Sequence, residues 1–280
     1  MKECTGNYFI KNGKTLPVGD FDNSMVYEGE SIYEILRMVK GVPLFFNDHY
    51  NRLIGSILNR KRTNLSTFNN LLRDIKSLSE IEKPKEANLK IVFNYNDLNS
   101  DYFVYFIKAS YPTDLQYKEG VKGILFKAER TDPESKVVHR DLKLAIEAKL
   151  AAENAYEALL VNDKNFITEG SRSNTFFIKN KTLYTAPDNL VLSGITRKHL
   201  INLCNETGIE ICYECVNADE IQKYDSVLMS GTSPILLPLK YVDNYAFTVE
   251  NAIVEKLRNM FMQKAEQSIN DFISGKFNCL

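Results

Sequence analysis

Short runs of alternating apolar and polar residues open the chain. GNYFIKNGK sets Asn12-Gly13 between apolar flanks, the residue pair that a two-residue turn with positive φ favours, and predicts a hairpin. SIYEILRMVKGVPLFF breaks in the same way at Lys40-Gly41 between β-rich runs. The period then lengthens. In HYNRLIGSILNRKR the residues Leu53, Ile54 and Leu58 share a helical face, and Asn47 or Asp48 is the expected cap. A second helix is expected from Ser66 to Leu78, followed by strands NLKIVFNY and YFVYFIKAS around a polar Asn-Asp-Leu-Asn turn.

Pro112 and the polar stretch TDLQYKEG interrupt this pattern, which places a domain boundary near 112–120 and gives an N-terminal domain over 1–115 and a C-terminal domain over 116–280. Beyond it, GILFKAER reads as a strand and DLKLAIEAKLAAENA as a helix rich in good helix formers. Strands EALLVND, NFITEG, NTFFIKN and TLYTAP follow in quick succession. Helix TRKHLINLCNETG should end at Gly208, and IEICYECV reads as one strand. A short helix near Asp219, strands SVLMSG and ILLPLKYVD, and a long amphipathic helix complete an α+β chain with mixed sheets.

Composition narrows the function classes. At 280 residues with 44% hydrophobic and 25% charged residues, the chain is an ordinary two-domain globular protein. Its net charge of -1 offers no basic field for nucleic acid or an anionic membrane. No apolar run approaches the roughly 20 residues of a membrane span, and the N-terminus lacks the apolar core of a signal peptide, so a cytoplasmic protein is expected. Five cysteines argue against a disulfide framework. Cys212 and Cys215 read as strand thiols, and His49, His139 and His199 are too scattered for a metal site, so none is expected.

Polar residues at the ends of apolar strands are the candidates for chemistry. In LSGITRKHL, Gly194 allows close approach and Thr196 stands at a helix start, where the first backbone N–H groups can hold an anion; a plain Ser/Thr cap is the other reading. MSGTSP offers a second anion-binding turn through Thr232, or an ordinary turn before Pro234. Without a Walker loop or a G-x-G-x-x-G run, two such places suggest one phosphate bound by several elements. Glu169, between two apolar strands in ITEGSRSNTFF, must be paired or hydrogen-bonded if it is buried and charged.

Taken in order, YEGESIYEILRMVKGVPLFFNDHYNRL, EALLVNDKNFITEGSRSNTFFIKNKTLYTAP, VLSGITRKHLI and SVLMSGTS resemble the class IV pyridoxal-phosphate aminotransferases, the family of D-amino acid and branched-chain aminotransferases and of aminodeoxychorismate lyase. The resemblance implies a two-domain D-amino acid aminotransferase-like fold with its active site between the domains. It implies pyridoxal 5′-phosphate as cofactor, a homodimer, and amino acid and 2-oxo acid substrates. The family lysine, about twenty residues before the segment matched by Tyr156-Glu157-Ala158, corresponds to Lys136, whose amine would form the aldimine and move the substrate α-proton. Lys143 and Lys149, in a charged periodic helix, read as a solvated face. Glu169 matches the partner of the pyridine nitrogen, Arg52 a phosphate ligand, Ile195 with Thr196 and then Thr232 the two phosphate-binding turns, and Leu192 the apolar residue against the ring. Tyr33 matches a tyrosine on the substrate side.

The substrate pocket departs from each relative. Tyr95 stands about where D-amino acid aminotransferase has its carboxylate-binding arginine, and no histidine follows. The run after the lysine is Val137-Val138-His139-Arg140-Asp141, not the Gly-Gly-Asn-Tyr of branched-chain enzymes; His139-Arg140 partly echoes the lyase, whereas EGSRSN is closer to the transaminases. Arg172, three residues after Glu169, is the candidate for the missing carboxylate ligand, or else an outward surface arginine. The expected function is transamination between an amino acid and a 2-oxo acid. The alternatives are aminodeoxychorismate lyase and a non-catalytic binding protein of the same fold.

Overall fold

The protein is described by a computed structural model covering residues 2–97, 99–130 and 135–277. Leu98, in the expected polar turn, and residues 131–134, just before Lys136, lie outside the described residues. Contacts divide the chain into two units: Met1–Ser110, Ser135–Val138 and Lys264–Leu280 form the first, and Tyr111–Glu134 with His139–Gln263 the second.

In the first unit, β1 (Tyr8–Lys11) and β2 (Lys14–Pro17) form the expected hairpin, with Asn12 at φ 50° and Gly13 at φ 77°. Both central residues of a type I′ turn have positive φ, which Asn-Gly accepts at little cost. A short helix α1 (Ser24–Tyr27) leads into β3 (Glu30–Val39), and Lys40-Gly41, also at positive φ, turns β3 into β4 (Val42–Pro43). Helices α2 (Phe46–Asn59) and α3 (Phe68–Glu82) precede β5 (Glu86–Tyr95) and β6 (Ser100–Ile107). The six-stranded sheet runs β2-β1-β6-β5-β3-β4 among the described residues.

Two details of α2 differ from expectation. It starts at Phe46 rather than after Asn47 or Asp48, with Phe45 in the left-handed region and its N–H bonded to Ser268 Oγ at 2.7 Å, so no Asn or Asp side chain caps it. That shift moves the buried stripe to Phe46, His49, Leu53, Ser56 and Ile57, and leaves Leu58 exposed. Helix α3 starts at its cap Thr67, whose Oγ1 accepts from Asn70 N–H, and runs past Leu78 to Lys83, whose φ of 46° ends it.

Alternation along β3 sends Ile32, Glu34, Leu36 and Met38 to one face, where Ile32, Leu36 and Met38 pack with Leu53 and Ile57 of α2. Tyr33 faces the other side with Val92, Phe103 and Tyr105. Tyr95 lies on the α2 face, opposite to Tyr33.

The expected division at 115/116 takes a different form. The break falls at 110/111, and Lys136, expected within 116–280, belongs by its contacts to the first unit. The reason is backbone pairing: Tyr33 N–H donates to Lys136 O at 3.0 Å, Val138 N–H donates to Ser31 O at 3.1 Å, and Val137 bridges Ile32. The segment runs beside β3 and joins it through a single β-bridge.

The second unit begins with α4 (Asp114–Glu119), a short helix within TDLQYKEG held by a reciprocal Thr113–Gln116 capping box. Next come β7 (Val121–Lys127), α5 (Arg140–Glu153), β8 (Glu157–Val161), β9 (Phe166–Gly170), β10 (Asn174–Lys179) and β11 (Thr182–Thr185). Then follow α6 (Ile195–Thr207), β12 (Ile211–Tyr213), β13 (Val216–Asn217), β14 (Ser226–Gly231), β15 (Ile235–Val242), β16 (Tyr245–Ala246) and α7 (Ala252–Ile273). Gly208 ends α6 at φ 68°, and a 3-10 turn over Ala218–Lys223 stands where the short helix near Asp219 was expected.

IEICYECV is two strands, not one. β12 pairs with β11 at one end of the sheet and β13 with β9 at the other, along the order β12-β11-β10-β14-β15-β7-β8-β9-β13. Laid flat, nine strands would separate those ends by about 38 Å. The three residue steps from Tyr213 to Val216 span at most about 11 Å. The sheet therefore curls strongly, and Thr175 Oγ1 of β10 reaches Thr168 O of β9 at 3.4 Å across the bend.

Gly29, at φ 81° before β3, would carry a Cβ only 2.5 Å from Tyr95 O. Gly29→Ala is expected to destabilise the protein by roughly 2 kcal/mol in urea unfolding; an unchanged midpoint would contradict the close approach.

Candidate active site

In the first unit the lysine segment is fixed from both sides. Besides its bond to Tyr33, Lys136 places its own N–H 3.3 Å from Ser56 Oγ of α2. Its Nζ stands 5.1 Å from the centroid of the Tyr33 ring, and Lys90 Nζ stands 5.0 Å from the same centroid. Lys90, only 4% exposed, is paired with Glu3 at 2.8 and 3.0 Å, and Tyr105 donates to that carboxylate at 2.8 Å. Burial works to raise the Glu3 pKa, but the Lys90 charge and these hydrogen bonds leave it below its usual value.

Arg52 and its neighbours form a buried ionic cluster on the α2 face of β3. Glu34, fully buried, accepts from Arg52 Nε at 2.7 Å and Nη2 at 2.7 Å, and lies 2.7 Å from His49 Nδ1. His49, Arg52 and Ser56 recur at i, i+3 and i+7, so one face of α2 carries all three. Burial alone would raise the Glu34 pKa, yet the Arg52 charge and the bonds from Arg52 and His49 hold it at about 2. Burial lowers that of His49 and outweighs the attraction of Glu34.

In the second unit, Glu169 closes β9 and is 3% exposed. Arg130 Nη1 lies 3.3 Å from its Oε1, and Leu192 N–H donates to its Oε2 at 3.2 Å. The carbonyl of Leu192 in turn accepts from Asn174 Nδ2 at 2.9 Å. Next to it, Gly194 leaves α6 without a side-chain cap; a Cβ there would meet Asn174 Oδ1 at 2.0 Å. Ile195 and Thr196 are the first two residues of α6, both buried, so Thr196 is no N-cap and the helix opens on backbone N–H groups. Thr232 follows β14 directly, and the preceding Ser230 Oγ is buried without a hydrogen-bond partner among the described residues.

The second unit holds another buried carboxylate. Glu157 accepts from Ser171 Oγ at 2.5 Å, Ser173 Oγ at 2.8 Å, Ala158 N–H at 2.9 Å and Ser171 N–H at 3.1 Å. It fixes the turn over 170–173 that joins Glu169 to Asn174, and it compensates a buried charge with four donors.

The residues expected at the substrate have other partners here. Tyr95 donates its hydroxyl to Thr63 O at 2.6 Å, and burial pushes its pKa up to about 12. The Arg172 side chain is 60% exposed; it donates to Tyr156 O at 2.7 Å and lies over the Tyr156 ring at 5.3 Å. Lys143 and Lys149 are exposed on α5 and pair with Glu147 and Glu153 four residues on. Cys212 lies in β12 and Cys215 just beyond it. Among the described residues no group of three or more His, Cys, Asp or Glu is placed to hold a metal ion, and no helix is long and apolar enough to cross a membrane.

The sequence profile described as amino-transferase class IV matches residues 31–242. The chain belongs to that family. It is 24% identical over 229 residues to the D-alanine aminotransferase of Bacillus licheniformis, covering 77% of this chain and 80% of that one. It is 25% identical over 279 residues to a putative branched-chain-amino-acid aminotransferase of Methanocaldococcus jannaschii, covering 93% and 95%. The fold matches that of the T.th. branched-chain amino acid aminotransferase with pyridoxamine 5′-phosphate at a TM-score of 0.83 and 18% identity, over 94% of this chain and 96% of that one. Members of the family are pyridoxal-phosphate-dependent aminotransferases or aminodeoxychorismate lyases, as the motifs implied.

Glu34, Ser56, Lys90, Arg130 and Asn174 are not singled out by the sequence, and His49 and Glu157 are given no part in the site there. A carboxylate at an inward position of β3 was a legible signal, because a buried charge demands a partner. The depressed folded-state pKa of Glu34 makes its contribution to stability complete above about 4.5 and lost as pH falls toward about 2; that of His49 is lost from about 6.5 downward. Urea midpoints are expected to drop on acidification through both windows, and Glu34→Gln should flatten the lower one.

Proposed function

We propose that this chain is a pyridoxal 5′-phosphate-dependent aminotransferase that moves an amino group between an amino acid and a 2-oxo acid, with Lys136 as its catalytic amine. The observation that carries the reading is Lys136 itself, pinned by main-chain hydrogen bonds to β3 with its amine beside the Tyr33 ring. A catalytic group needs that kind of fixed backbone.

The residues fit the cofactor on three counts. A buried carboxylate, Glu169, whose Oε1 and Oε2 are both held, suits a protonated ring nitrogen. The uncapped start of α6 at Ile195 and Thr196, with Gly194 pressed against Asn174, suits a phosphate, as does the unpartnered Ser230 hydroxyl beside Gly231 and Thr232. Arg52 adds a guanidinium whose plane is held by Glu34. When bound, the cofactor supplies an aldehyde for an amine and a ring that accepts the electrons left by the substrate's α-proton.

Each residue then has a definite task. Lys136 would offer the amine for the cofactor aldehyde and would serve as base for the substrate α-proton. Glu169 keeps a proton on the ring nitrogen, and Leu192 covers the ring as an apolar neighbour. Arg52, Ile195, Thr196 and Thr232 hold the phosphate. Tyr33 lines the substrate side. Arg172 is the second-unit cation for a substrate carboxylate, which requires it to leave Tyr156, and Tyr95 acts there only if it gives up Thr63. The same reading takes the enzyme to be a cytoplasmic homodimer.

Purified protein given pyridoxal 5′-phosphate is expected to develop a visible band that borohydride removes, with the reduced adduct on the peptide containing Lys136. Lys136→Ala should stay colourless; an adduct on another lysine would overturn the assignment. Tested against D- and L-amino acids with 2-oxoglutarate, the protein should form glutamate from at least one donor. Release of pyruvate from aminodeoxychorismate without glutamate formation would make it the lyase instead. Arg172→Ala should raise KM for the amino donor with little change in kcat, and an unchanged KM would remove Arg172 from the substrate pocket.

A further inference from the structure

Among the described residues, Glu34 is a fully buried carboxylate that no family motif singled out, yet the side chains of Arg52 and His49 converge on it. Its two oxygens take Arg52 Nε and Nη2, each at 2.7 Å, and Oε2 also meets His49 Nδ1 at 2.7 Å. The residue before it, Tyr33, holds the Lys136 carbonyl, and Ser56, one helical turn beyond Arg52, holds the Lys136 N–H. Adjacent residues of β3 thus tie down both the backbone of the amine and the guanidinium.

We infer that Glu34 is a positioning residue: it sets the plane of the Arg52 guanidinium for the cofactor phosphate, with His49 fixing the carboxylate. The inference rests on the reading of Arg52 as a phosphate ligand. Three physical points support it. The guanidinium is planar, so engaging Nε and one side of Nη2 directs the edge formed by Nη1 and the other side of Nη2 away from Glu34. A flexible arginine loses rotamer freedom when an anion captures it, and a partner that has already ordered it removes that cost from binding. Finally, a buried ion pair is poor at adding stability compared with apolar residues of the same size, so stability alone is a weak account of one on a core-facing stripe between Ile32 and Leu36.

The cofactor's connectivity sharpens the requirement. Its aldehyde and its phosphate arm are borne by one ring, so the amine and the guanidinium would have to lie within the reach of that arm. β3 supplies the common reference, since a strand paired along its length with β5 deforms less than a loop.

Pyridoxal, which lacks the phosphate, separates a positioning role from a structural one. Apoprotein is titrated with pyridoxal 5′-phosphate and with pyridoxal, following the visible band, and its thermal midpoint is recorded alongside. Glu34→Gln is expected to weaken the phosphorylated cofactor by about tenfold while leaving pyridoxal affinity unchanged. Glu34→Asp, which keeps the charge with a shorter reach, should lie in between, and it carries the test if the glutamine variant does not fold. Equal losses for both ligands, or no loss for either, would overturn the inference. Arg52→Ala is the control on the underlying reading. If it leaves the preference for the phosphorylated form intact, Arg52 is not a phosphate ligand; if it abolishes that preference while the Glu34 variants keep it, only the positioning role fails.

Discussion

Two main-chain hydrogen bonds, Tyr33 N–H to Lys136 O and Val138 N–H to Ser31 O, are the contacts on which the candidate site depends. They tie residues 135–138 to β3 around the single β-bridge between Val137 and Ile32. A lysine in a loop samples many positions, whereas one registered against a strand presents its amine from a defined backbone. Ser56 completes the hold from the helix side.

Buried carboxylates do the comparable work elsewhere. Glu34 in the first unit and Glu157 and Glu169 in the second are each satisfied by several donors, and each fixes a segment named in the functional reading. Taking a charge out of water costs several kcal/mol unless it is paired, so every such group constrains the geometry around it. Glu157 illustrates the point: its four hydrogen bonds shape the turn over 170–173, and that turn sets Asn174 against Leu192 and Gly194. Order is passed from Glu157 to the segment on which the functional reading draws.

Much of this was legible in the chain. Asn12-Gly13 and Lys40-Gly41 named their turns because few residue pairs accept two successive positive φ values. Gly208 marked the end of α6 for the same reason. The ordered motifs marked out Glu169, and its burial and pairing are those a carboxylate between apolar strands requires. What escaped notice depended on distance in sequence. IEICYECV looks like one strand because its residues favour strands throughout, and only pairing with β11 and β9 shows that it serves both ends of a sheet. The membership of Lys136 in the first unit is a long-range backbone pairing that no local pattern encodes. The start of α2 was misplaced because Phe45 takes a left-handed conformation that only its tertiary bond to Ser268 explains.

The two-residue link between β12 and β13 has a further effect. The outermost strands of the long sheet are three and two residues long, so each rim exposes few unpaired N–H and C=O groups. Long open rims recruit strands from other chains, and short ones give such a strand little to zip onto. By curling the sheet and clipping its rims with Glu214 and Cys215, the second unit protects itself against edge-to-edge aggregation without spending a single gatekeeper proline on it.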